Sequence, residues 1–273
     1  MKLRYKLIFG DCEEVMESME KVDLVVTSPP YYTMRGHVKY RTYAEYLRKM
    51  ERCFRRIYEV LKYGRVFALN VPYVYSDEDT RYFVGFDLYK IAEKMFRLQE
   101  CIVWVKDAGA FRGSGSRGRF STFVQFPYAF YYFPNYQWEF IFVFTKGKMR
   151  KGEIGKGEVG IDVSEFNGDV WRLKTASQEY RETDHPAMFP SQLPRNIISF
   201  YSYEGDVVLD PFLGSGTTMA VAKELGRSCI GIEIEEKYED VIKRKVGWNQ
   251  QMLGYEVEYE IRRVKEREKK DCQ

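Results

Sequence analysis

The stretch from Asp206 to Glu233 constrains the fold more tightly than any other part of the chain. Asp206-Val207-Val208-Leu209 reads as a buried strand. Asp210-Pro211-Phe212-Leu213-Gly214-Ser215-Gly216-Thr217-Thr218 then turns it, Thr217 to Leu225 predicts a helix, and Ser228 to Ile234 predicts a second strand. Gly214 and Gly216 let the backbone turn sharply and pass close to a ligand. The amides of Thr217 and Thr218 open a helix, where a carboxylate is favoured. Glu233 lies 23 residues beyond Asp210, the distance at which doubly wound folds grip a ribose hydroxyl pair. The G-x-G-T-T spacing lacks the third glycine of a pyrophosphate cradle, and no Gly-Lys-Ser/Thr phosphate loop is present. The pattern points to a nucleoside cofactor that is not a dinucleotide.

The same alternation runs through the rest of the chain. Strands are expected at Lys6–Phe9, Val22–Val26, Val66–Leu69, Ile102–Val105 and Phe140–Phe144, and helices at Glu13–Met19, Leu88–Phe96 and Leu193–Tyr201. Thr42 and Glu45 form a capping box. Behind it Tyr46, Met50, Phe54, Ile57 and Leu61 recur at helical spacing, until Gly64 ends the helix. Alternating strands and helices predict an α/β fold with a doubly wound, mostly parallel sheet. Tyr255, Val257, Tyr259 and Ile261 alternate as an edge strand would, at the start of a charged C-terminal tail, 255–273.

Composition narrows the function. With 45% hydrophobic and 30% charged residues, the 273-residue chain is an ordinary globular protein. No apolar run approaches a membrane span and the start does not resemble a signal peptide, so the expected location is the cytoplasm. Five scattered cysteines and two histidines argue against a metal site or a disulfide framework. A net charge of only +3 leaves nucleic-acid affinity to local patches.

A second motif, Thr27-Ser28-Pro29-Pro30-Tyr31, follows the Val22–Val26 strand. The exocyclic amine of cytosine or adenine is a poor nucleophile, because its lone pair is delocalised into the ring. Two acceptors that take its hydrogens would favour a pyramidal nitrogen. The Ser28 hydroxyl and the Pro29 carbonyl are such a pair, since Pro30 leaves the intervening peptide without a donor. Tyr31 can stack on a base extruded from the duplex. Positioning then carries most of the rate, with in-line displacement and late loss of the proton. Ring methylation through a covalent adduct needs a nucleophilic thiol, and no cysteine follows a proline or sits in such a loop. Asp210 can accept from a methionine ammonium, and Asp11 from an adenine amine. Together the motifs point to methyl transfer from S-adenosylmethionine to a base amine.

On these residues the chain resembles the amino-methyltransferases of restriction-modification systems, in the permuted beta group whose catalytic motif precedes the cofactor motif. The resemblance takes in Gly10-Asp11-Cys12, Val22 to Tyr31, Trp104-Val105-Lys106, Asp169-Val170-Trp171, His185 to Pro190, Asp210 to Thr218, Gly226-Arg227 and Gly231-Ile232-Glu233. It implies that Phe189, Pro190 and the region of Leu193 wall the cofactor pocket, and that Asp11, Asp210 and Glu233 hold adenine, methionine and ribose. With Phe212, Gly214, Ser215, Gly216 and Thr217 these complete the expected cofactor set. The serine form of the catalytic motif implies cytosine N4 methylation, with adenine N6 as the alternative. An RNA or protein amine methylase, or a silent nucleic-acid-binding relative, are more distant readings. A partner endonuclease acting on the same site is also implied. The expected division is a catalytic domain over 1–106 and 185–254, with a target-recognition segment over 107–184 that includes sheet strands.

Candidate DNA contacts follow from charge. No acid occurs between Ala108 and Trp138, while Arg112, Arg117 and Arg119 ride a glycine-serine loop suited to phosphates or guanine edges. Arg35, His37, Lys39 and Arg41 follow the catalytic motif and suit the backbone of the flipped nucleotide.

Overall fold

In the computed structural model, residues 1–32, 40–76, 80–107, 124–125, 132–133, 137–152, 163–174 and 189–264 are described. The strands are β1 (Lys2–Phe9), β2 (Val22–Thr27), β3 (Leu61–Pro72), β4 (Tyr75–Ser76), β5 (Arg81–Tyr82), β6 (Arg97–Asp107), β7 (Val124–Gln125), β8 (Tyr132–Phe133), β9 (Trp138–Thr145), β10 (Val170–Lys174), β11 (Val207–Asp210), β12 (Ser228–Glu233) and β13 (Glu256–Arg263). The helices are α1 (Cys12–Val15), α2 (Tyr43–Val60), α3 (Val84–Ala92), α4 (Gln192–Tyr201), α5 (Thr217–Glu224) and α6 (Glu239–Val246).

Nine strands form one sheet in the order β10-β6-β9-β3-β2-β11-β12-β1-β13. Every neighbouring pair is parallel except the two that involve β9. The expected doubly wound, mostly parallel α/β fold is therefore the observed one. Both faces are covered. Along β3, Val66 and Ala68 join the cluster that holds α4, α5 and α6, whereas Phe67, Leu69 and Val71 join the one that holds α1, α2 and α3. β2 and β12 are buried at every position, as strands covered on both sides must be.

The winding sets the site. From β2 the chain moves on to β3, toward one edge, and from β11 it moves to β12, toward the other. The carboxyl ends of β2 and β11 thus flank the point where the order reverses, which is where open α/β sheets bind ligands.

Most sequence expectations lie within a turn of the observed elements, with three adjustments. The helix expected over Glu13–Met19 is α1 followed by a 3₁₀ turn over Met16–Ser18. The helix expected over Leu88–Phe96 begins earlier, at Val84, and ends at Ala92. Gly64 does not end α2. Leu61 already pairs with Val22 in the sheet, and Gly64 lies inside β3 with φ 76°, where the pairing of β2 with β3 slips between Val22 and Leu24. A left-handed glycine serves a bulge as readily as a helix end. Thr42 caps α2 as expected, accepting from Glu45 N at 3.1 Å, but Glu45 returns the bond to Arg41 N rather than to Thr42 N. The alternating tail is the edge strand β13, parallel to β1.

Asp23, polar in the middle of an apolar strand, is explained by its partners. It pairs with Lys62 at 2.9 Å and Arg65 at 3.0 Å, accepts from Val207 N, and Arg65 reaches on to Asp206. This network ties β2, β3 and β11 together at the end of the sheet opposite the motifs. No helix among the described residues is long and apolar enough to cross a membrane.

Candidate active site

The two motifs meet through one hydrogen bond. Thr27, the last residue of β2, donates its hydroxyl to Asp210 Oδ1 at 2.6 Å across the adjacent strand end. Thr218, in the first turn of α5, donates to Asp210 Oδ2 at 2.6 Å, and Phe212 N donates to Oδ1 at 3.1 Å. Asp210 is only 1% exposed, and burial pushes its carboxyl up to about 6 against the pull of those three donors. A carboxylate so enclosed braces the motifs against each other.

The glycine turn has the expected form. Gly214 and Gly216 have φ 56° and 87°, and Gly216 stands at the N-cap of α5. A Cβ at Gly216 would lie 3.2 Å from Ile242 Cγ2, so the turn also needs glycine for its close packing on α6. Glu233 ends β12 and ties back to the turn, with Oε2 accepting from Gly214 N at 2.8 Å and Oε1 from Glu235 N at 2.9 Å. Burial pushes its carboxyl up to about 7, with those backbone donors working the other way. The Ile234 amide also acts on it, and because a carboxylate has about four acceptor positions, capacity remains for a ribose hydroxyl.

Asp11 stands at the end of β1, where Gly10 N donates to Glu233 O at 2.9 Å. Asp11 caps α1 through Glu13 N, and both of its oxygens receive Lys49, at 2.6 and 2.8 Å. The three acids named from sequence thus share the carboxyl ends of β1, β11 and β12. Phe189 packs on the cluster that includes Val26, Leu193 and Leu213, and Pro190 is buried, its carbonyl accepting from Leu193 N. Phe212 packs on the opposite cluster, beside Leu209 and Ile232.

Sequence reasoning missed Lys245. From α6 its ammonium donates to Thr217 Oγ1 at 2.7 Å and lies 3.3 Å from Ser215 Oγ. This sets a cation at the N-terminus of α5, where a ligand carboxylate is already favoured. Lys49, Thr27 and Glu139 were missed as well.

At the catalytic motif Pro29 is buried, while Ser28, Pro30 and Tyr31 are half-buried. The Tyr31 hydroxyl is turned inward, hydrogen-bonded with Ser28 and facing the Glu139 carboxylate; burial first, and Glu139 next, push its ionisation well above the usual range. Tyr32 extends the site into a tyrosine cluster. It packs edge-on against Tyr43 and Tyr82, whose rings stack 4.0 Å apart, and Tyr43 donates to Asp87 at 2.7 Å.

Of the candidate DNA contacts, Arg41 is exposed beside the N-terminus of α2. Arg35, His37, Lys39, Arg112, Arg117 and Arg119 lie outside the described residues, as does His185.

The geometry can be set against known proteins. The chain is 33% identical over 251 residues to the type II methyltransferase M.ScaI of Streptomyces caespitosus, covering 86% of this chain and 79% of that one. It is 29% identical over 301 residues to the type II methyltransferase M.MjaI of Methanocaldococcus jannaschii, covering 94% and 96%. A DNA modification methylase of Thermus thermophilus, TTHA0409, solved in complex with S-adenosyl-L-methionine, superposes with a TM-score of 0.68 at 24% identity, over 93% of this chain and 99% of that one. The cytosine-N4-specific PvuII DNA methyltransferase gives a TM-score of 0.69 at 20% identity, over 92% and 91%. The N6/N4 family model described as DNA methylase matches residues 22–244, from the start of β2 into α6, so both motifs lie within the match. With two motif-bearing strand ends joined at the switch point of a parallel sheet, the chain belongs to this DNA methylase family.

Proposed function

We propose that this DNA methyltransferase acts on the exocyclic N4 amine of cytosine in duplex DNA, at a site defined by sequence, with S-adenosylmethionine as methyl donor. The observation that carries the reading is the Thr27–Asp210 bond, which holds Ser28 beside the glycine turn. The cofactor supplies an electrophilic methyl on a sulfonium. Glu233 grips the ribose hydroxyls with the acceptor capacity its backbone donors leave open. Lys245, Ser215, Thr217 and the opening amides of α5 hold the methionine carboxylate, and Asp11 takes the adenine amine. Phe189, Pro190 and Phe212 wall the pocket, and Asp210 keeps turn and catalytic motif in register while facing the methionine ammonium.

The chain's own residues then prepare the amine. Ser28 Oγ and the Pro29 carbonyl accept its two hydrogens and turn the nitrogen lone pair toward the methyl, and the ring of Tyr31 packs on the base. Proper alignment of bound reactants is worth roughly 7–11 kcal/mol in favourable cases, so no strong base is needed before attack. The serine form of the catalytic motif, through the family resemblance, supports cytosine over adenine. Residues 107–184, with Arg112, Arg117 and Arg119, read the sequence, while Arg35, Lys39 and Arg41 hold the backbone near the flipped base. The relatives' type II names support a cognate endonuclease as partner.

Incubation of unmodified duplex DNA with labelled S-adenosylmethionine, nucleoside digestion and mass spectrometry tests the base. N4-methylcytosine is expected. N6-methyladenine would overturn the reading of Ser28, and label only in RNA or protein would overturn the substrate.

A further inference from the structure

Lys49 directs its whole hydrogen-bonding capacity at two acids. From α2 its ammonium donates to Asp11 Oδ1 at 2.6 Å, to Asp11 Oδ2 at 2.8 Å and to Glu13 Oε2 at 3.0 Å, and an ammonium has three protons to give. Packing fixes this reach. One turn further along α2, the buried Cys53 thiol meets the buried Cys12 thiol of α1 at 3.3 Å. Arg52, between them, donates to both Glu13 oxygens at 3.0 Å. The lysine is thereby set over the first residues after β1.

The acceptor positions on Asp11 can be counted. A carboxylate has about four, two on each oxygen. Oδ1 receives Lys49 at 2.6 Å and Glu13 N at 2.9 Å and is filled, whereas Oδ2 receives Lys49 alone among the described residues. A single position on Oδ2 is left. The Asp11 side chain is 25% exposed, so a ligand can reach it. Asp11 also stands close to Glu233, since Phe9, two residues earlier, is paired with Glu233 across β1 and β12.

Resting on the reading that Asp11 takes the adenine amine, we propose that Lys49 is a positioning residue that sets the cofactor's base specificity. It fixes the Asp11 carboxylate so that one acceptor position, on Oδ2, meets the purine at C6. An exocyclic amine donates one proton to that position. A 6-oxo purine brings a lone pair there instead, which the carboxylate repels, and leaves the position without a donor. If Lys49 is removed, Glu13 N alone holds the carboxylate, which can then turn about that bond. The Glu13 carboxylate also faces Asp11 with no cation between them. Discrimination between 6-amino and 6-oxo purines therefore depends on Lys49, acting through Asp11.

The test measures calorimetric dissociation constants of the full chain for S-adenosylhomocysteine and for S-inosylhomocysteine, its 6-oxo counterpart. A hydrogen bond to a charged group is worth about 10- to 100-fold in affinity, so the unsubstituted protein is expected to favour the amine about 100-fold. Lys49→Met and Lys49→Gln should each cut that ratio to about tenfold or less, through weaker binding of S-adenosylhomocysteine. Asp11→Ala should cut it to about threefold or less, and adding Lys49→Met to Asp11→Ala should change it no further. Glu13→Gln, which alters the other acid on Lys49 and spares Asp11, should keep the ratio within about twofold. A lysine that only staples α1 to α2 would weaken both ligands alike when replaced. An unchanged ratio in Lys49→Met and Lys49→Gln, an equal fall in Glu13→Gln, or a further fall on top of Asp11→Ala would each overturn the role of Lys49. A ratio unchanged in Asp11→Ala would instead contradict the reading of Asp11 on which that role rests.

Discussion

Cofactor affinity should rise with pH through neutrality, and Glu233 should be the reason. Its carboxyl is pushed up to about 7 by burial, yet the proposed grip on a ribose hydroxyl pair needs the ionised form. With that midpoint, about one carboxyl in ten is ionised at pH 6 and about nine in ten at pH 8. If only the ionised form grips the ribose, the dissociation constant falls about tenfold between those values, roughly 1.4 kcal/mol. Asp210, raised to about 6, is half ionised at the lower limit and adds at most about twofold. Binding at pH 7 should release about half a proton from Glu233. Isothermal titration calorimetry with S-adenosylhomocysteine at pH 6, 7 and 8, in buffers of different ionisation heat, measures both quantities. Glu233→Gln should abolish most of the slope. A flat or falling affinity, or a slope that survives in Glu233→Gln, would refute the assignment. Unliganded stability should move the opposite way. Both carboxyls titrate higher in the fold than their ordinary 3.8 and 4.5, so their contribution is fully present below about pH 4. It is lost as pH rises through about 6 and 7.

Other consequences are open to direct measurement. Thr27→Val keeps shape but removes a 2.6 Å bond to a buried carboxylate. It should cost about 1.5–3 kcal/mol in denaturant unfolding and slow transfer more than it weakens cofactor binding. Gly216→Ala forces a side chain into φ 87° beside Ile242, so a loss of about 1–2 kcal/mol is expected together with weaker cofactor binding. Lys245→Met should weaken the cofactor about tenfold by removing a charged hydrogen-bond donor. It should leave affinity for adenosine, which has no carboxylate, unchanged.

The sequence revealed those parts of the fold whose cause is local. Apolar runs bounded by polar, proline or glycine residues predict β2, β11 and β12, and Thr42 with Glu45 predicts the start of α2, because each needs only its neighbours in the chain. Gly64 shows the limit, since a positive φ is required both past a helix and in a bulge, and only the pairing of Leu61 with Val22 decides between them. At the site, Asp11, Asp210 and Glu233 were legible because each stands at or just past a strand end, next to a turn. Thr27 was in plain view beside Ser28, but its role depends on β2 and β11 being neighbours, and they are separated by most of the chain. Lys245 and Glu139 had no local signal. One reaches the turn from a different helix, and the other is placed by strand register against β3 and β6.

The central claim is that the serine motif and the glycine turn form one site, with Ser28 facing the methyl donor. A crystal structure of the S-adenosylmethionine complex tests it most directly. It should show the ribose hydroxyls on Glu233 and the sulfonium methyl directed at the space between Ser28 Oγ and the Pro29 carbonyl, where an amine nitrogen fits at about 3–3.5 Å. A methyl turned away from Ser28, or a ribose bound away from Glu233, would contradict it.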